Sequence, residues 1–295
     1  MIKNRKTIVC ILIGLVAAAL VLTAGCTGTG DAGAPSSEQK SISIGYVLWD
    51  SEIASTNVIK QVFEKAGYDV RLIAVDAAPL YQAVASGDVD CTVSAWLPRT
   101  QKSYMEKFGD QLDLVGKNLE GAKIGLVVPT YVTIDSIEEM NSVKDRFEGK
   151  IVGIDAGAGV MKTTEDAVEA YGLDYDIVYS SSAGMASALK KAVDREEWVV
   201  VTGWTPHWKF ARWDLKYLED PKGVYGGEEY IGTLARKGLA EDDPEAYAIL
   251  KRFSWTPEDM GSVMLDIEDG MSHEDAAQKW IDAHPDQVDA WLGKA

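Results

Sequence analysis

Strand-like and helix-like segments alternate along this chain in two separate sets, and the alternation strongly constrains the fold. The first set combines β-branched, alternating strand patterns with helical apolar spacing, at residues 42–47, 55–66, 68–75, 80–86 and 89–93. The second set repeats the arrangement at residues 150–154, 161–171, 176–179, 183–193 and 198–203. Alternation of this kind is typical of a largely parallel sheet that is covered by helices.

The segments between and after the two sets predict how they are joined. Residues 122–129 form a long strand pattern, which predicts a strand that crosses from one set to the other. After Trp204 the chain becomes acidic and is predicted to be helical, with helix-start signals at residues 256–259 and 272–275. The predicted fold class is therefore α/β, with two lobes and a cleft between them, where small-molecule sites preferentially form.

The first 25 residues have the layout of a secretory signal. Three basic residues and no acid precede an apolar run over residues 8–22, and roughly fifteen residues are short for a membrane span. The small residues at 23–26 resemble a lipobox, which makes Cys26 the predicted lipidation site and the mature N-terminus. An uncleaved N-terminal anchor helix is the alternative, and both arrangements hold the protein outside the cytoplasm.

The segment after the signal predicts a tether rather than a folded element. Residues 26–41 consist mainly of Gly, Ser, Ala, Thr and Pro, so they have little apolar surface to bury. A lipid on Cys26 followed by such a tether would hold the folded part at the outer face of the cytoplasmic membrane. The folded part would remain free to reorient there.

The charge balance excludes nucleic acid as a partner. The chain has 29 Lys and Arg against 46 Asp and Glu, a formal net charge of -17. Clustered basic residues favour binding to nucleic acid because they release its counterions, whereas this acidic chain would be repelled. An anionic membrane surface would repel it as well, so any membrane attachment must be covalent or apolar.

Few residues offer covalent or metal chemistry. Cys91 is the one cysteine that the sequence places in the folded part, within an apolar run where cysteine acts as a small hydrophobe. None of His207, His273 and His284 has metal-ligand spacing to another His or Cys. The sequence contains no nucleophile elbow, phosphate loop or dinucleotide motif. We therefore expect no metal, no cofactor and no enzymatic activity.

Three of the nine tryptophans stand at the ends of strand patterns, namely Trp49, Trp96 and Trp204. In α/β sheets the carboxyl ends of the strands line the ligand crevice. Indoles that converge there form a cage for a quaternary ammonium group, which donates no hydrogen bond but is attracted to aromatic faces. The remaining six tryptophans are expected to pack in the core.

A glycine-rich run at residues 153–159 lies between a strand pattern and a helix pattern. Its glycine spacing does not match the dinucleotide-binding motif. A turn of this kind presents backbone N–H groups at a helix start, which suits a carboxylate as well as a phosphate. The alternative is a tight strand-to-helix turn with no ligand.

Several segments together resemble the glycine betaine-binding proteins of ABC importers, most closely the OpuAC-type subfamily. The motifs that carry the resemblance stand at residues 45–50, 94–98, 153–159, 202–208 and 218–226. The resemblance extends from Ser41 to the end of the chain. It implies a two-lobed periplasmic-binding-protein fold of type II, which closes on a quaternary ammonium osmolyte and delivers it to a membrane permease.

The resemblance also implies a role for individual residues. The family places the ammonium group in a prism of three indoles, which are here Trp49, Trp96 and Trp204. It binds the ligand carboxylate with backbone amides that correspond to Gly159 and Val160. Some relatives add a His to the carboxylate contact where this chain has Gln101, so the resemblance also places Gln101 at the carboxylate; Gln can donate a hydrogen bond there but does not titrate. His207 is expected to lie behind the direct ligand contacts.

We expect the following domain limits: a signal peptide at 1–25, a tether at 26–41, lobe 1 at 42–128 plus 229–295, and lobe 2 at 129–228. The expected ligand is glycine betaine or a relative such as proline betaine, bound for osmoprotection. Three alternatives stay open: a choline- or carnitine-binding protein, a receptor subunit that signals, and a hydrolase or lyase. The last would use His207 with Asp50 or Glu52.

Overall fold

The structure is a computed structural model and describes residues 39–294. The predicted signal peptide, the predicted lipidation site Cys26 and most of the predicted tether lie outside the described residues. The strands of the described part are β1 (Ser41–Tyr46), β2 (Asp69–Ala74), β3 (Cys91–Leu97), β4 (Leu112–Pro129), β5 (Lys150–Val152), β6 (Asp176–Val178), β7 (Val201–Thr205), β8 (Leu215–Tyr217) and β9 (Glu229–Arg236).

Helices pack against these strands. In chain order they are α1 (Asp50–Lys65), α2 (Ala77–Ser86), α3 (Lys102–Phe108), α4 (Gly159–Tyr171), α5 (Ser182–Val193), α6 (Lys209–Arg212), α7 (Leu239–Asp242), α8 (Pro244–Arg252), α9 (Pro257–Glu268), α10 (His273–Ala283) and α11 (Pro285–Trp291). Two 3₁₀ segments, Gly109–Gln111 and Ile137–Phe147, complete the described part. None of the helices in residues 39–294 has the length and apolarity that a membrane crossing needs.

The strands form one mixed sheet in the order β2-β1-β3-β9-β4-β7-β5-β6, with β8 beside β4. The pairs β1–β2, β1–β3, β5–β6 and β5–β7 are parallel. Because β9 runs antiparallel to β3 and β4, and β4 antiparallel to β7 and β8, the expectation of a largely parallel sheet is wrong. The fold is α/β and two-lobed, as predicted.

Strand β4 links the two lobes. Its first section pairs with β9 as far as Ala122, opposite Glu229, and its second section pairs with β7 from Lys123, opposite Thr205. The predicted crossing strand is confirmed, although it begins at Leu112. Lobe 1 here means β1–β3, β9 and the first section of β4 with their helices, and lobe 2 means β5–β8 and the second section. The predicted domain limits stay predictions, and the limit at 128/129 falls inside β4.

The segment after Trp204 is less helical than the sequence suggests, because it contains β8 and β9. Strand β9 lies between β3 and β4, so nearly all of its side chains are buried, including Glu229 at one end. A charged residue at each end and a glycine in the middle conceal the strand pattern. The two predicted helix starts are confirmed: Thr256 and Asp259 form a reciprocal capping box, and Ser272 accepts a hydrogen bond from the Asp275 N–H.

The close pairing of β4 with β7 generates a first prediction. Gly203 lies opposite Gly125, and a Cβ atom at Gly203 would stand 2.3 Å from Val127 Cγ2. We expect Gly203→Ala to lower the free energy of unfolding by about 1–3 kcal/mol, because overpacking forces a backbone or side-chain shift. Urea unfolding of the purified protein measures the change. Gly227→Ala is the control, since a Cβ there meets nothing within 4 Å; equal stability of the two variants would contradict the prediction.

Candidate functional site

A small cavity lies between the two lobes. Its lining comes from both of them: Trp49, Ser51, Trp96 and Thr100 from lobe 1, and Ile124, Ile154, Ala158, Gly159, Val160 and Trp204 from lobe 2. The empty space is about 280 Å³, below the range that is usual for drug-sized ligands. The cavity therefore suits a ligand with few heavy atoms. None of the described residues that line it is charged.

The three tryptophans that the sequence singles out meet in this cavity. Trp49 directly precedes α1, Trp96 lies near the end of β3, and Trp204 near the end of β7. They are 7%, 3% and 4% exposed, so the indole faces are shielded from bulk water. Trp204 stands opposite Ile124 in the β4–β7 register, and both line the cavity. The arrangement provides several aromatic faces around one small apolar space.

Two of the three indoles donate a hydrogen bond to a carboxylate. Trp49 Nε1 donates to Asp155 Oδ2 over 2.7 Å, and this bond joins lobe 1 to lobe 2. Trp96 Nε1 donates to Glu52 Oε1, also over 2.7 Å. The Trp204 Nε1 atom is buried without a hydrogen-bond partner in the described part of the chain. The carboxylates thus fix the orientation of two cavity walls.

Glu52 is buried directly behind the cavity wall. Its Oε1 accepts from Trp96 and its Oε2 accepts from Ser51 Oγ over 2.6 Å. Burial raises the pKa of Glu52 to about 7, and the nearby Asp50 carboxylate adds to the increase. The site thus has an acid whose charge changes near neutral pH, next to two residues that line the cavity.

The third indole has an amine as its ionisable neighbour. Lys209 is fully buried, and its Nζ lies 4.3 Å from the centroid of the Trp204 ring. Lys209 is not among the residues that line the cavity, so its ammonium group lies outside the cavity. Its Nζ has no hydrogen-bond partner within residues 39–294, and burial lowers its pKa to about 7, an effect that Asp50 partly opposes.

The glycine-rich turn leads into α4 and faces the cavity with backbone. Gly159 and Val160 are the first two residues of α4 and both line the cavity. Their amide N–H groups have no acceptor among the described residues, as is usual for the first turn of a helix. The dipole of α4 adds partial positive charge at this end. The turn thus presents two N–H donors to the cavity, and the predicted carboxylate contact of Gly159 and Val160 stays a prediction.

Gly159 also lies close to the opposite lobe at the cavity. A Cβ at Gly159 would lie 2.0 Å from the backbone oxygen of Thr100. Thr100 is fixed in turn by the buried Glu229, whose Oε1 accepts from the Arg99 and Thr100 N–H groups over 2.6 and 2.8 Å. Only glycine fits at position 159 when the lobes are this close.

A second set of contacts between the lobes converges on Asp50. Its Oδ1 accepts from Trp208 Nε1 over 2.8 Å, and its Oδ2 accepts from Ser182 Oγ. His207 Nε2 lies 3.6 Å from Asp50 Oδ2. Although burial opposes the effect, these neighbours hold the pKa of Asp50 well below its usual range. Burial and the nearby Lys209 lower the pKa of His207 to about 4, so His207 is neutral near pH 7.

The structure places His207 and Gln101 behind the wall rather than in it. The His207 ring packs against the Trp204 ring with 4.7 Å between their centroids, and His207 does not line the cavity. Gln101 does not line the cavity. Its Oε1 accepts from the Trp96 N–H over 2.8 Å and from the Tyr81 hydroxyl over 2.6 Å. Gln101 thus supports Trp96 through its Oε1, and its contact with the ligand carboxylate stays a prediction.

Other chemistry has little support at this site. Within residues 39–294 there is no group of three His, Cys, Asp or Glu side chains that could hold a metal ion. Cys91 is a buried free thiol, and burial raises its pKa far above neutral, so the reactive thiolate does not form.

Comparison with known proteins agrees with this geometry. Residues 40–283 match the model of the substrate-binding domain of ABC-type glycine betaine transport systems. The glycine betaine/carnitine transport binding protein GbuC of Listeria monocytogenes is 48% identical over 162 residues, which span 54% of each chain. The chain thus aligns with about half the length of that relative. The glycine betaine-binding periplasmic protein OusX of Dickeya dadantii is 24% identical over 83% of this chain and 86% of its own.

A solved structure gives the same result. Lactococcal OpuAC in its closed conformation with glycine betaine is 46% identical and superposes with a TM-score of 0.83. The match covers 86% of this chain and 99% of the lactococcal one. With a family model that matches most of its length, this chain belongs to the family of substrate-binding domains of ABC-type glycine betaine transport systems.

Proposed function

We propose that this protein captures glycine betaine, or a closely related quaternary ammonium osmolyte such as proline betaine. It then delivers the ligand to the permease of an ABC transporter for osmoprotection. The observation that carries the proposal is the cavity itself: three indoles on one small apolar space, together with two free amide N–H groups at the start of α4. The indoles can surround a cationic group, and the amides can bind an anionic group of the same ligand.

The aromatic end fits a trimethylammonium group. Such a group donates no hydrogen bonds, so moving it from water into a cavity without acceptors leaves no donor unpaired. It is also attracted to aromatic faces. A desolvated contact of this kind contributes about 2 kcal/mol, so Trp49, Trp96 and Trp204 would contribute about 6 kcal/mol together. A smaller amine would leave its N–H groups without acceptors against these indoles.

The amide end fits a carboxylate. In the proposed complex the N–H groups of Gly159 and Val160 donate to the carboxylate oxygens, and the α4 dipole adds to the attraction. A charge-assisted contact contributes about 1.5–3 kcal/mol. Together with the cage this gives about 8 kcal/mol, which corresponds to a dissociation constant on the order of 1 μM. A capture protein for an osmolyte works well at that affinity.

The proposed location is the outer face of the cytoplasmic membrane. The predicted signal and the lipobox-like residues before Cys26 support a lipid anchor there. The flexible composition of residues 26–41 would allow the folded part to reach the permease. Growth in radiolabelled palmitate, followed by loss of label in Cys26→Ala, tests the anchor.

We propose a binding protein without turnover. Cys91 is buried and protonated, and His207 is neutral behind Trp204 rather than in the cavity, so neither is placed to attack a ligand. Proton NMR of glycine betaine incubated with the protein should show no product. A new methyl resonance would instead support the hydrolase or lyase alternative.

Calorimetric titration with three ligands tests the two ends of the site separately. We expect glycine betaine to bind in the micromolar range and choline, which lacks the carboxylate, at least tenfold more weakly. We also expect 3,3-dimethylbutyrate, which keeps the shape and the carboxylate but lacks the positive charge, to bind at least tenfold more weakly. Equal betaine and choline affinities would contradict the amide assignment, and binding of none would contradict the proposal.

Truncation of a cage wall provides a second test. We expect Trp96→Ala to weaken glycine betaine and choline alike, by about thirtyfold, because it removes one aromatic face. The matched control is Trp198→Ala, since Trp198 is half-buried under Arg146 and outside this cavity. Titrations of both variants, with circular dichroism to confirm folding, measure the effect. Normal affinity in the Trp96 variant would show that this indole is not a cage wall.

The close approach at Gly159 provides a third test. We expect Gly159→Ala to weaken glycine betaine at least tenfold, because its Cβ would meet the Thr100 oxygen and hold the lobes apart. Gly157→Ala, in the same turn, is the control, since its Cβ would make only ordinary contacts at 3.8 Å. Equal affinities of the two variants would show that the approach of Thr100 to Gly159 is not needed for binding.

A further inference from the structure

A buried acid without a cationic partner stands behind the cavity wall. Glu52 is 1% exposed, and its side chain accepts hydrogen bonds from Ser51 and Trp96, both of them neutral. None of the largest influences on its pKa comes from a Lys, Arg or His, and no described residue of these types forms a hydrogen bond with its side chain. A buried charge without a counter-charge is costly, so such a group is either neutral or has a partner that arrives later.

We propose that Glu52 is the counter-charge of the bound ammonium group, and that Glu52 ionises when the cation enters the cavity. This inference rests on the proposed function. The position of Glu52 supports it, because both of its hydrogen-bond donors belong to residues that line the cavity. The Trp96 indole lies between the carboxylate and the cavity, with its N–H directed to Glu52 and a part of the ring facing the ligand space.

In this arrangement the ionisation of Glu52 and the binding of the cation favour each other. An indole N–H that donates to an anion shifts electron density into the ring, which strengthens the attraction of the ring for a cation. The cation in turn stabilises the carboxylate across the low-dielectric wall. The proton of the neutral Glu52 is released to solvent, and the bound state holds one carboxylate and one ammonium in its place.

Three other ionisable groups affect the charge of Glu52 or of the bound cation. Asp50, two residues earlier on α1, repels the carboxylate and adds to the effect of burial. Tyr81 on α2 is the titratable neighbour from another helix, and it stays protonated because burial raises its pKa far above neutral. Across the cavity, Lys209 behind Trp204 opposes a bound cation when it is protonated.

The sign of the pH dependence follows. Below about pH 7 the free protein has a protonated Glu52, so a cation must displace a proton and binds more weakly. Lys209 is also protonated below about pH 7, and repulsion from it weakens binding in the same direction. Both groups therefore favour tighter binding as the pH rises, and variants are needed to separate them.

Calorimetric titration of glycine betaine at pH 5.5, 7 and 8.5, in two buffers that differ in ionisation enthalpy, tests the inference. The zwitterionic ligand does not titrate in this range, so any proton release belongs to the protein. In Lys209→Met, where the amine is absent, we expect proton release near pH 7 and roughly tenfold weaker binding at pH 5.5 than at pH 8.5. In Lys209→Met with Glu52→Gln we expect both effects to disappear.

The single variant Glu52→Gln keeps the shape and can still accept from Trp96, and we expect it to bind betaine about tenfold more weakly at pH 8.5. Glu64→Gln, at an exposed position on the same helix, is the control and should match the wild-type protein. Betaine binding by Lys209→Met without proton release would overturn the inference while the proposed function stands, even if the Glu52 variants do not fold. Absence of betaine binding by the wild-type protein would overturn the proposed function itself.

Discussion

The hydrogen bond from the Trp49 indole to Asp155 is the contact on which the candidate site most depends. It connects a wall that belongs to lobe 1 with the turn that leads into α4 in lobe 2. Asp155 and Gly159 belong to the same glycine-rich run, so this bond also sets the spacing between an aromatic face and the free amides. The contacts of Asp50 with Trp208 and Ser182 join the same two lobes at a second place. The contacts that hold the two lobes together therefore also set the positions of the residues that line the cavity.

The three indoles differ in the charge that stands beside them. Asp155 accepts from Trp49, Glu52 accepts from Trp96, and the Lys209 amine lies over Trp204. Two carboxylates favour a cation in the cavity, whereas one amine opposes it. Burial of Lys209 lowers its pKa to about 7, which reduces that opposition at neutral pH and above. The balance therefore favours a cation most strongly where Glu52 is ionised and Lys209 is neutral.

Much of the architecture follows from local patterns in the sequence. The strands and helices of both sets form near their predicted positions because alternation and helical spacing are properties of short segments. Helix α1 begins at Asp50 rather than at residue 55. Its first turn buries polar residues, so the helical spacing of apolar residues that predicts a helix is absent there. Strand β9 is hard to predict for a related reason, since its neighbours in the sheet and not its own composition determine its burial.

The sequence predicts the parts of the site that depend on residue type alone. It does not predict the parts that depend on which side chains are buried. Tryptophans after strand patterns and a glycine-rich turn before a helix are visible in the sequence, and the structure brings them to one cavity. The sequence does not place Glu52 or Lys209 beside the cage, because a charged residue in a sequence is normally expected to face solvent. The contacts of the Gln101 Oε1 atom with Trp96 and Tyr81 depend on tertiary packing, so the sequence does not show them.

The position of the acid behind an indole, rather than in the cavity, has a consequence for selectivity. A carboxylate in the wall would offer oxygen ligands to Na⁺ or K⁺ and an acceptor to any amine. Behind the wall, the charge of Glu52 reaches the cavity through the Trp96 ring and through Ser51, whose hydroxyl is already donated to Glu52. The face of the ring attracts cations but does not replace their hydration shell. An inorganic ion or a primary amine would lose its water without compensation. A quaternary ammonium group has no N–H donors to satisfy, so it gains the attraction without that loss, and the buried acid adds affinity without weakening discrimination.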